Sequence, residues 1–237
     1  MTVTGRLELV ALDAADIDTL ASFYAELAGW TINRKDDDWI TVQAGEGQEI
    51  AFQLAPDHVA PQWPGQEHPQ QFHLDLLVDG HEAAAERAVA LGATRLADGA
   101  TWITLADPAG HIFDLCQRDG VGPSMELFAA TIDAPDASAL ARFYADLLGM
   151  DVTYEGPEGA MVAGAGKSLM FQQVSGYTAP QWPDPAHPQQ AHLDILVDDL
   201  DAGESRAIEL GAALLDGSHD GFRVYADPAG HPFCLTT

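Results

Sequence analysis

The sequence predicts an α+β protein built from two tandem domains, and two observations support this fold class. The first is an internal repeat, because residues 60–79 (APQWPGQEHPQQFHLDLLVD) return 119 positions later as residues 179–198 (APQWPDPAHPQQAHLDILVD). The hexapeptide ADPAGH at 106–111 also returns, at 226–231. Matches at nearly one offset indicate a tandem duplication. The second observation is that runs of strands mix with single helices over short connections, which is typical of an antiparallel-rich α+β fold.

The duplication divides the chain of 237 residues into two domains of ordinary size. We expect these domains at 1–118 and 125–237, joined by a linker at 119–124. Each domain is expected to contain two units of a strand, a helix and three strands. On this basis residues 1–118 should have a self-contained core.

The elements of the first domain follow from local signals. Residues 7–13 form the opening strand, and Asp16 is the expected N-cap of a helix that Gly29 ends. The pattern then predicts strands at 39–43, 49–54, 72–78, 94–97 and 101–106, a helix at 81–91, and a closing strand HIFDLC at 111–116. The second domain repeats this plan, with helices near 136–148 and 199–210 that Gly149 and Gly211 end.

The repeated strand alternates between two kinds of side chain. His73 and Asp75 point to one face, and the second copy places His192 and Asp194 at the same positions. The opposite face is apolar: Leu74, Leu76 and Val78. The apolar face needs a helix to cover it, so the face with His and Asp must line a pocket or meet water.

The charged residues of the sequence disfavour some classes of binding partner. With 37 acids against 10 bases the formal charge is -27, so nucleic acid and an anionic membrane surface are disfavoured. The charge is interpreted as a solvated surface, with attraction of a cationic ligand as the alternative. Cys116 and Cys234 do not occupy matching repeat positions and are expected to be free thiols in a reducing cytoplasm. No segment reads as a membrane span or a signal peptide.

The chain resembles the vicinal oxygen chelate superfamily, which includes glyoxalase I, bleomycin-binding proteins and extradiol dioxygenases. The residues that carry the resemblance are FYAELAGW and FYADLLGM, HLDLLVD and HLDILVD, and ADPAGHIFDL and ADPAGHPFCL. It is most similar to the actinobacterial glyoxalase-like group with paired domains. The resemblance implies that paired β-α-β-β-β units curl into a cup-shaped mixed sheet with the helices outside. Whether a cup forms from units of one domain or from units exchanged between domains stays open.

The resemblance also implies four metal-ligand positions in each cup of the metal-dependent members. By motif these are Leu9, Gln53, His73 and Asp114 in the first domain, and Ala129, Gln172, His192 and Cys234 in the second. Leu9 and Ala129 cannot ligate a metal, so we expect no metal and no other cofactor. The alternative is a metal held by Gln53, His73 and Asp114, since catalytic sites keep open positions. Without a metal, each histidine is expected to hydrogen-bond its neighbour Asp75 or Asp194, or a ligand.

Aromatic side chains are candidates for the rim of a cup. Trp63 and Trp182 lie in Pro-rich loops before the repeated strands, where they either stack on a flat ligand or pack over the domain edge. Trp39, Trp102 and Phe222 lie on strands and face either the helices or the cup. Cys234 is interpreted as a small buried hydrophobe, and Asp114 as a hydrogen-bond acceptor for a ligand or a solvated side chain.

Three functions remain open from the sequence. The first is a binding protein that holds a hydrophobic or aromatic natural product, such as an antibiotic, in metal-free cups and protects the cell by sequestration, as bleomycin resistance proteins do. The second is a metal-dependent lyase, isomerase or dioxygenase of the glyoxalase type. The third is a degenerate second domain that serves only as a structural partner. A small-molecule ligand and a homodimer are the expected partners.

Overall fold

The computed structural model describes residues 5–184 and 186–237, and their elements follow one order four times: a strand, a helix and three strands. The first repeat contains β1 (Arg6–Ala14), α1 (Ile17–Ala28), β2 (Thr31–Lys35), β3 (Trp39–Gly45), β4 (Gln48–Leu54), β5 (Phe72–Val78), α2 (His81–Ala90), β6 (Thr94–Asp98), β7 (Trp102–Ala106) and β8 (Ile112–Gln117). The second contains β9 (Glu126–Ala134), α3 (Ala137–Leu148), β10 (Asp151–Gly156), β11 (Gly159–Gly164), β12 (Lys167–Gln173), β13 (Ala191–Leu196), α4 (Leu200–Leu210), β14 (Ala213–Asp216), β15 (Phe222–Ala226) and β16 (Pro232–Thr236). This order confirms the predicted α+β class and the two units in each repeat.

Each of the two eight-stranded sheets combines strands from both repeats. Their strand orders are β14-β15-β16-β13-β1-β4-β3-β2 and β10-β11-β12-β9-β5-β8-β7-β6. At the centre of the first sheet β1 runs antiparallel to β13, with Ala11 opposite His192. At the centre of the second sheet β5 runs antiparallel to β9, with His73 opposite Thr131. The two repeats therefore exchange units, which answers the question that the sequence left open.

The exchange corrects one expectation. Within residues 1–118, β1 and β5 do not pair with each other, since each pairs with a strand of the second repeat. This segment alone therefore holds two half-sheets, and the expected self-contained core is wrong in that respect. The predicted linker, 119–124, falls between β8 and β9.

Local capping fixes the helices where the sequence predicts them. The Asp16 carboxylate accepts a hydrogen bond from the backbone N–H of Thr19, and Gly29 ends α1 in the left-handed conformation at φ 71°. Asp136 and Gly149 repeat both features for α3. No helix in the described part of the chain is long and apolar enough to span a membrane.

The helices cover one face of each sheet and bury the apolar side of the strands. Leu74, Leu76 and Val78 belong to the main core, which confirms the predicted alternation of β5. Trp30, at the end of α1, is also buried, and its indole N–H donates to the carbonyl of Met125.

The repeated ADPAGH motif ties a helix to a turn. The Tyr24 hydroxyl of α1 donates to Asp107 at 2.9 Å, and the Tyr144 hydroxyl of α3 donates to Asp227 at 3.0 Å. The other oxygen of Asp107 accepts the backbone N–H of His111, which closes the turn. The His111 ring reaches the carbonyl of Asp13 at 2.7 Å and so connects the two sheets.

Candidate functional site

Each sheet has a concave face that the helices do not cover, and these faces are the two candidate sites. We call the face of the first sheet over β1, β4, β13 and β16 cup A, and the face of the second sheet over β9, β12, β5 and β8 cup B. Leu9, Ala11 and Ala51 form a small apolar cluster in cup A with Trp39 packed against it, apart from the main core. Alternation along each strand therefore separates cup-lining residues from core residues.

The structure changes which predicted residues share a site. Gln53 lines the cavity of cup A together with His192 and Cys234, because β4 and β13 both flank β1. The ligand atoms of His73, Asp75 and Asp114 lie within 4.8 Å of one another in cup B. The grouping of Gln53 with His73 and Asp114 is therefore wrong, since the units are exchanged.

The matching group of the second repeat is also divided. Gln172 lies on β12 opposite Asp133 of β9, in the sheet of His73, and its side chain is exposed. His192, Asp194 and Cys234 stay together in cup A, again with ligand atoms within 4.8 Å of one another.

A chain of four polar side chains crosses the floor of cup A. The Gln189 amide nitrogen lies 3.0 and 3.2 Å from the two carboxylate oxygens of Asp13 and 2.8 Å from Nδ1 of His192. On the other side of the ring, Nε2 of His192 lies 3.5 Å from Asp194. Asp13, Gln189 and His192 are all buried, so these side-chain contacts hold the imidazole in one orientation.

Cup B contains the same series of polar side chains at the equivalent positions. The Gln70 amide nitrogen lies 3.1 Å from Asp133 and 2.9 Å from Nδ1 of His73. Nε2 of His73 lies 3.7 Å from Asp75. In cup B the Asp75 carboxylate has two further donors, the hydroxyl of Thr131 and the thiol of Cys116. The expected proximity of each histidine to the aspartate two residues along is thus present in both cups.

Burial sets the protonation of these groups. It raises the pKa of Asp13 to about 6, against the charge of His192 and the Gln189 hydrogen bond, and it also raises the pKa of Asp133. For His192 burial acts against the charged ring, but the neighbouring carboxylates of Asp194 and Asp13 outweigh it, so its pKa is raised.

The two cysteines are free, and their surroundings favour the neutral thiol. Burial, reinforced by the nearby charge of Asp194, raises the pKa of the Cys234 thiol far above its usual range. Burial and the charge of Asp75 do the same for Cys116. Without a metal ion, Cys234 is thus a neutral thiol that is 8% exposed, a small buried side chain as predicted.

Cup A encloses a cavity of about 420 Å³ with a mixed lining. Asp13, Gln53 and His192 line its floor, and Trp182 and Phe222 line its rim. The Phe222 ring stacks on His219 with 4.1 Å between centroids and 14° between planes. Two of the predicted rim aromatics therefore face this cavity.

The other three predicted aromatics are not part of this cavity's lining. Trp39 is on the cup face of β3, with its ring centroid 6.3 Å from that of His192. Trp102 begins β7 opposite Cys116, on the face of the second sheet that forms cup B. It is 44% exposed and covers Gly99, where an added Cβ would be 2.4 Å from its ring. Trp63 is half-buried in its Pro-rich loop.

Comparison with known proteins identifies the family. A model of the "Glyoxalase-like domain" matches residues 9–116 and again residues 129–236. The chain belongs to this glyoxalase-like family, within the vicinal oxygen chelate superfamily. No curated protein sequence matches the chain.

Solved structures show the same fold at low sequence identity. Glyoxalase I from Zea mays is 19% identical, with a TM-score of 0.69 over 98% of this chain and 92% of that chain. A putative dioxygenase from Bacillus subtilis subsp. subtilis str. 168 is 13% identical, with a TM-score of 0.64 over 100% of this chain and 86% of that one. At these identities the likeness establishes the fold of this glyoxalase-like protein and leaves its activity to the site.

In cup A of this glyoxalase-like protein, the metal-ligand pattern that the family resemblance implies lacks its ligand on the first strand. The cup face of β1 carries Leu9 and Ala11 where the metal-dependent members of the superfamily have a ligand. Neither side chain can bind an ion. The remaining donors His192, Asp194 and Cys234 lie within 4.8 Å of one another, so cup A keeps three of the four side chains, and an ion bound there would have to displace the proton of the Cys234 thiol.

Cup B is nearer to a metal site but is still incomplete. His73, Asp75 and Asp114 converge, and Oδ1 of Asp114 is buried with no hydrogen-bond partner among the described residues. However, Asp75 is already bound to Thr131 and Cys116, and β9 supplies Ala129 where a fourth ligand would lie. The set therefore falls short of a four-ligand site.

Sequence reasoning missed the residues that hold the histidines. Asp13 and Asp133 are equivalent residues near the ends of their strands. Gln70 and Gln189 belong to the segment HPQQ, at 68–71 and again at 187–190, and the sequence alone did not suggest a function for them. A signal was present, because each of these residues recurs at the repeat offset on the cup face of a strand or just before one. An invariant position between two diverging repeats is informative when the side chain is polar and buried.

Proposed function

We propose that the protein captures a hydrophobic or aromatic natural product, such as an antibiotic, in cup A without a metal ion, and protects the cell by sequestration. The observation that carries this proposal is the cavity of about 420 Å³, which lies within the range of small-molecule sites. Capture needs buried apolar area and a few placed polar groups, and it needs no transition-state machinery.

The lining of cup A supports a flat ligand. The Trp182 and Phe222 side chains flank the opening, and His219 stacks on Phe222 beside them, so the lining offers aromatic surface to a planar group. Deeper in the cavity, Gln53 and His192 supply polar atoms that can fix the orientation of a ligand. Aromatic rims with a polar floor are typical of binding pockets.

The setting of this proposal is a cytoplasmic protein with a small-molecule ligand and no nucleic-acid or membrane partner. The formal charge of -27 supports it, since both of those partners are polyanionic surfaces. A homodimer is compatible with it but is not required, because one chain forms both cups.

A ligand titration tests the proposal. Flat aromatic natural products are titrated into wild type and His192→Ala, and binding is followed by intrinsic tryptophan fluorescence, to which Trp182 and Trp39 contribute from cup A. The variant should bind more weakly by about 1–3 kcal/mol, on the order of 5- to 150-fold, the cost of an unpaired buried polar partner.

The matched control is His73→Ala, which makes the equivalent change in cup B. It should leave affinity in cup A unchanged while disturbing the fold to a similar degree. Equal affinity in wild type and His192→Ala, or an equal loss in both variants, would contradict capture in cup A.

One observation favours a second candidate function, a metal-dependent lyase, isomerase or dioxygenase. It is the convergence of His73, Asp75 and Asp114 in cup B, where Oδ1 of Asp114 has no hydrogen-bond partner among the described residues. Metal analysis of untagged protein separates the two. Under the binding proposal the protein carries well under one equivalent of Zn, Ni, Fe or Mn, and adding these ions does not raise its melting temperature. A stoichiometric ion that His73→Ala removes would favour the enzyme.

A further inference from the structure

Gln70 and Gln189 each place one amide nitrogen between an aspartate and a histidine. In cup A the nitrogen of Gln189 lies 3.0 and 3.2 Å from both oxygens of Asp13, and 2.8 Å from Nδ1 of His192. In cup B the nitrogen of Gln70 lies 3.1 Å from Asp133 and 2.9 Å from Nδ1 of His73. The arrangement is the same in both repeats although the surrounding sequence has diverged, which indicates that it has a role.

The carboxylate decides which amide atom faces the histidine. An ionised aspartate only accepts hydrogen bonds, so the atom that meets Asp13 must be the NH₂ group and not the oxygen. The same NH₂ group then donates to Nδ1 of His192, which must act as an acceptor. A neutral imidazole has one N–H, and it is therefore placed on Nε2.

In cup B this orientation of the Gln70 amide has an energetic cost. The Oε1 atom of Gln70 is buried, in a residue only 4% exposed, and has no hydrogen-bond partner among the described residues. Turning the amide over would bring Oε1 to Nδ1 of His73, but it would also place that oxygen against the Asp133 carboxylate. The unpaired oxygen is thus the consequence of satisfying Asp133.

A metal-bound histidine needs the opposite arrangement. It gives a lone pair to the ion, and its other ring nitrogen donates an N–H to a carboxylate, a carbonyl or water. Here the other nitrogen accepts, and the Nε2 that would face an ion carries the proton. In cup A, Nε2 has Asp194 at 3.5 Å, beyond an ordinary hydrogen bond.

We propose that Gln70 and Gln189 are positioning residues that fix the cup histidines as the Nε2–H tautomer, and that this tautomer keeps both cups from binding a divalent metal. The tautomer follows from the contacts alone. Its further consequence rests on the proposed function: His192 offers an N–H, so the ligand of cup A meets it with an acceptor oxygen, as a carbonyl or phenol would.

A pair of isosteric substitutions reverses the direction of the hydrogen bonds between residues 13, 189 and 192. In the double variant Asp13→Asn, Gln189→Glu, the asparagine donates to the new carboxylate, which in turn accepts an N–H from Nδ1 of His192. Shape and net charge are kept, so folding should persist, and circular dichroism and the melting temperature check it. The equivalent double variant in cup B is Asp133→Asn, Gln70→Glu.

The tautomer is read directly by ¹⁵N NMR of histidine-labelled protein over a pH series, at the alkaline end where the shifts of the ring nitrogens no longer change with pH. Wild type should show His192 protonated at Nε2, and the double variant should show it protonated at Nδ1. Resonances are assigned with His192→Ala. Wild-type His192 protonated at Nδ1 would overturn the inference, whatever ligand the protein binds.

Zinc alone tests the metal part. Wild type should bind no Zn²⁺ in cup A, and the double variant should gain a site at least about tenfold tighter than any zinc binding of wild type. Adding His192→Ala to the double variant should remove that gain, which excludes the surface histidines. A switched tautomer without any gain in zinc affinity would show that the missing ligand on β1 alone excludes the metal, and the metal part of the inference would fall. A failed ligand titration with the expected tautomer would count only against the proposed function.

Discussion

The exchange of units between the repeats predicts which pieces of the chain fold alone. Residues 1–118 are one complete repeat but hold two half-sheets. Residues 68–174 straddle the repeat boundary, yet they contain every strand of the second sheet, β5 to β12, with α2 and α3. The straddling fragment should fold as a monomer, and the complete repeat should not.

The magnitude follows from the central pairings. In the repeat fragment β1 loses its partner β13 and β5 loses its partner β9, and each pairing has six facing positions. At about 1 kcal/mol for each ladder hydrogen bond, roughly one per facing position, the loss is on the order of 10 kcal/mol. That is comparable to the whole stability of a domain. The straddling fragment keeps the β5–β9 pairing and loses only contacts with the other sheet.

The repeat fragment has one way to recover the loss. In a homodimer β1 of one chain can pair with β5 of the other, since the two central pairings have equivalent registers, with Ala11 and Thr131 opposite the two cup histidines. We therefore expect a dimer whose folding depends on concentration. Sedimentation and circular dichroism over a concentration series measure this, with residues 68–174 as the matched control. A folded monomer of residues 1–118 at nanomolar concentration would refute the reasoning.

Two further predictions concern stability. Burial raises the Asp13 pKa to about 6 from 3.8, so between these pH values the folded chain holds a proton that the unfolded chain has lost. Stability from this group therefore falls as pH rises through that window, by about 1.4 kcal/mol per pH unit. Because asparagine cannot titrate, urea unfolding should show the difference between Asp13→Asn and wild type moving in favour of the variant by roughly 2 kcal/mol between about pH 4 and pH 6. A difference that does not change with pH would contradict the burial argument. Tyr24→Phe should cost about 1–3 kcal/mol, because Asp107 loses its buried donor, and Tyr144→Phe should cost a similar amount. The control Tyr154→Phe, at a side chain 45% exposed, should change stability by less than about 0.5 kcal/mol, and an equal effect at all three positions would contradict a role for burial.

The sequence predicted the faces of the strands better than their partners. His73 and Asp75 lie on the cup face because alternation depends only on the chain itself. The pairing of β5 with β9 was not predictable in this way, since β1 and β9 are copies with the same alternation and each offers an equally suitable edge. Local pattern cannot distinguish equivalent edges, so the choice belongs to the connections and the packing of the helices.

The candidate site shows the same division. Cup-facing His192 and Cys234 followed from the pattern and the resemblance, and the structure brings them together. Asp13 joins them from the other end of the chain because β1 lies beside β13. Its contact with Gln189 spans 176 positions and depends wholly on tertiary structure. No spacing rule reaches that far.

The exchange also assigns the two cups to different parts of the gene. The strands of cup A are encoded by the two ends, and those of cup B by an uninterrupted middle. A recombination event that replaces the middle would deliver a complete new cup B and leave cup A with its old specificity. Replacement of one whole repeat, which the duplication would suggest as the natural module, would instead alter half of each cup at once. A cup is therefore inherited as a unit along the order of the strands and not along the boundary of the repeats.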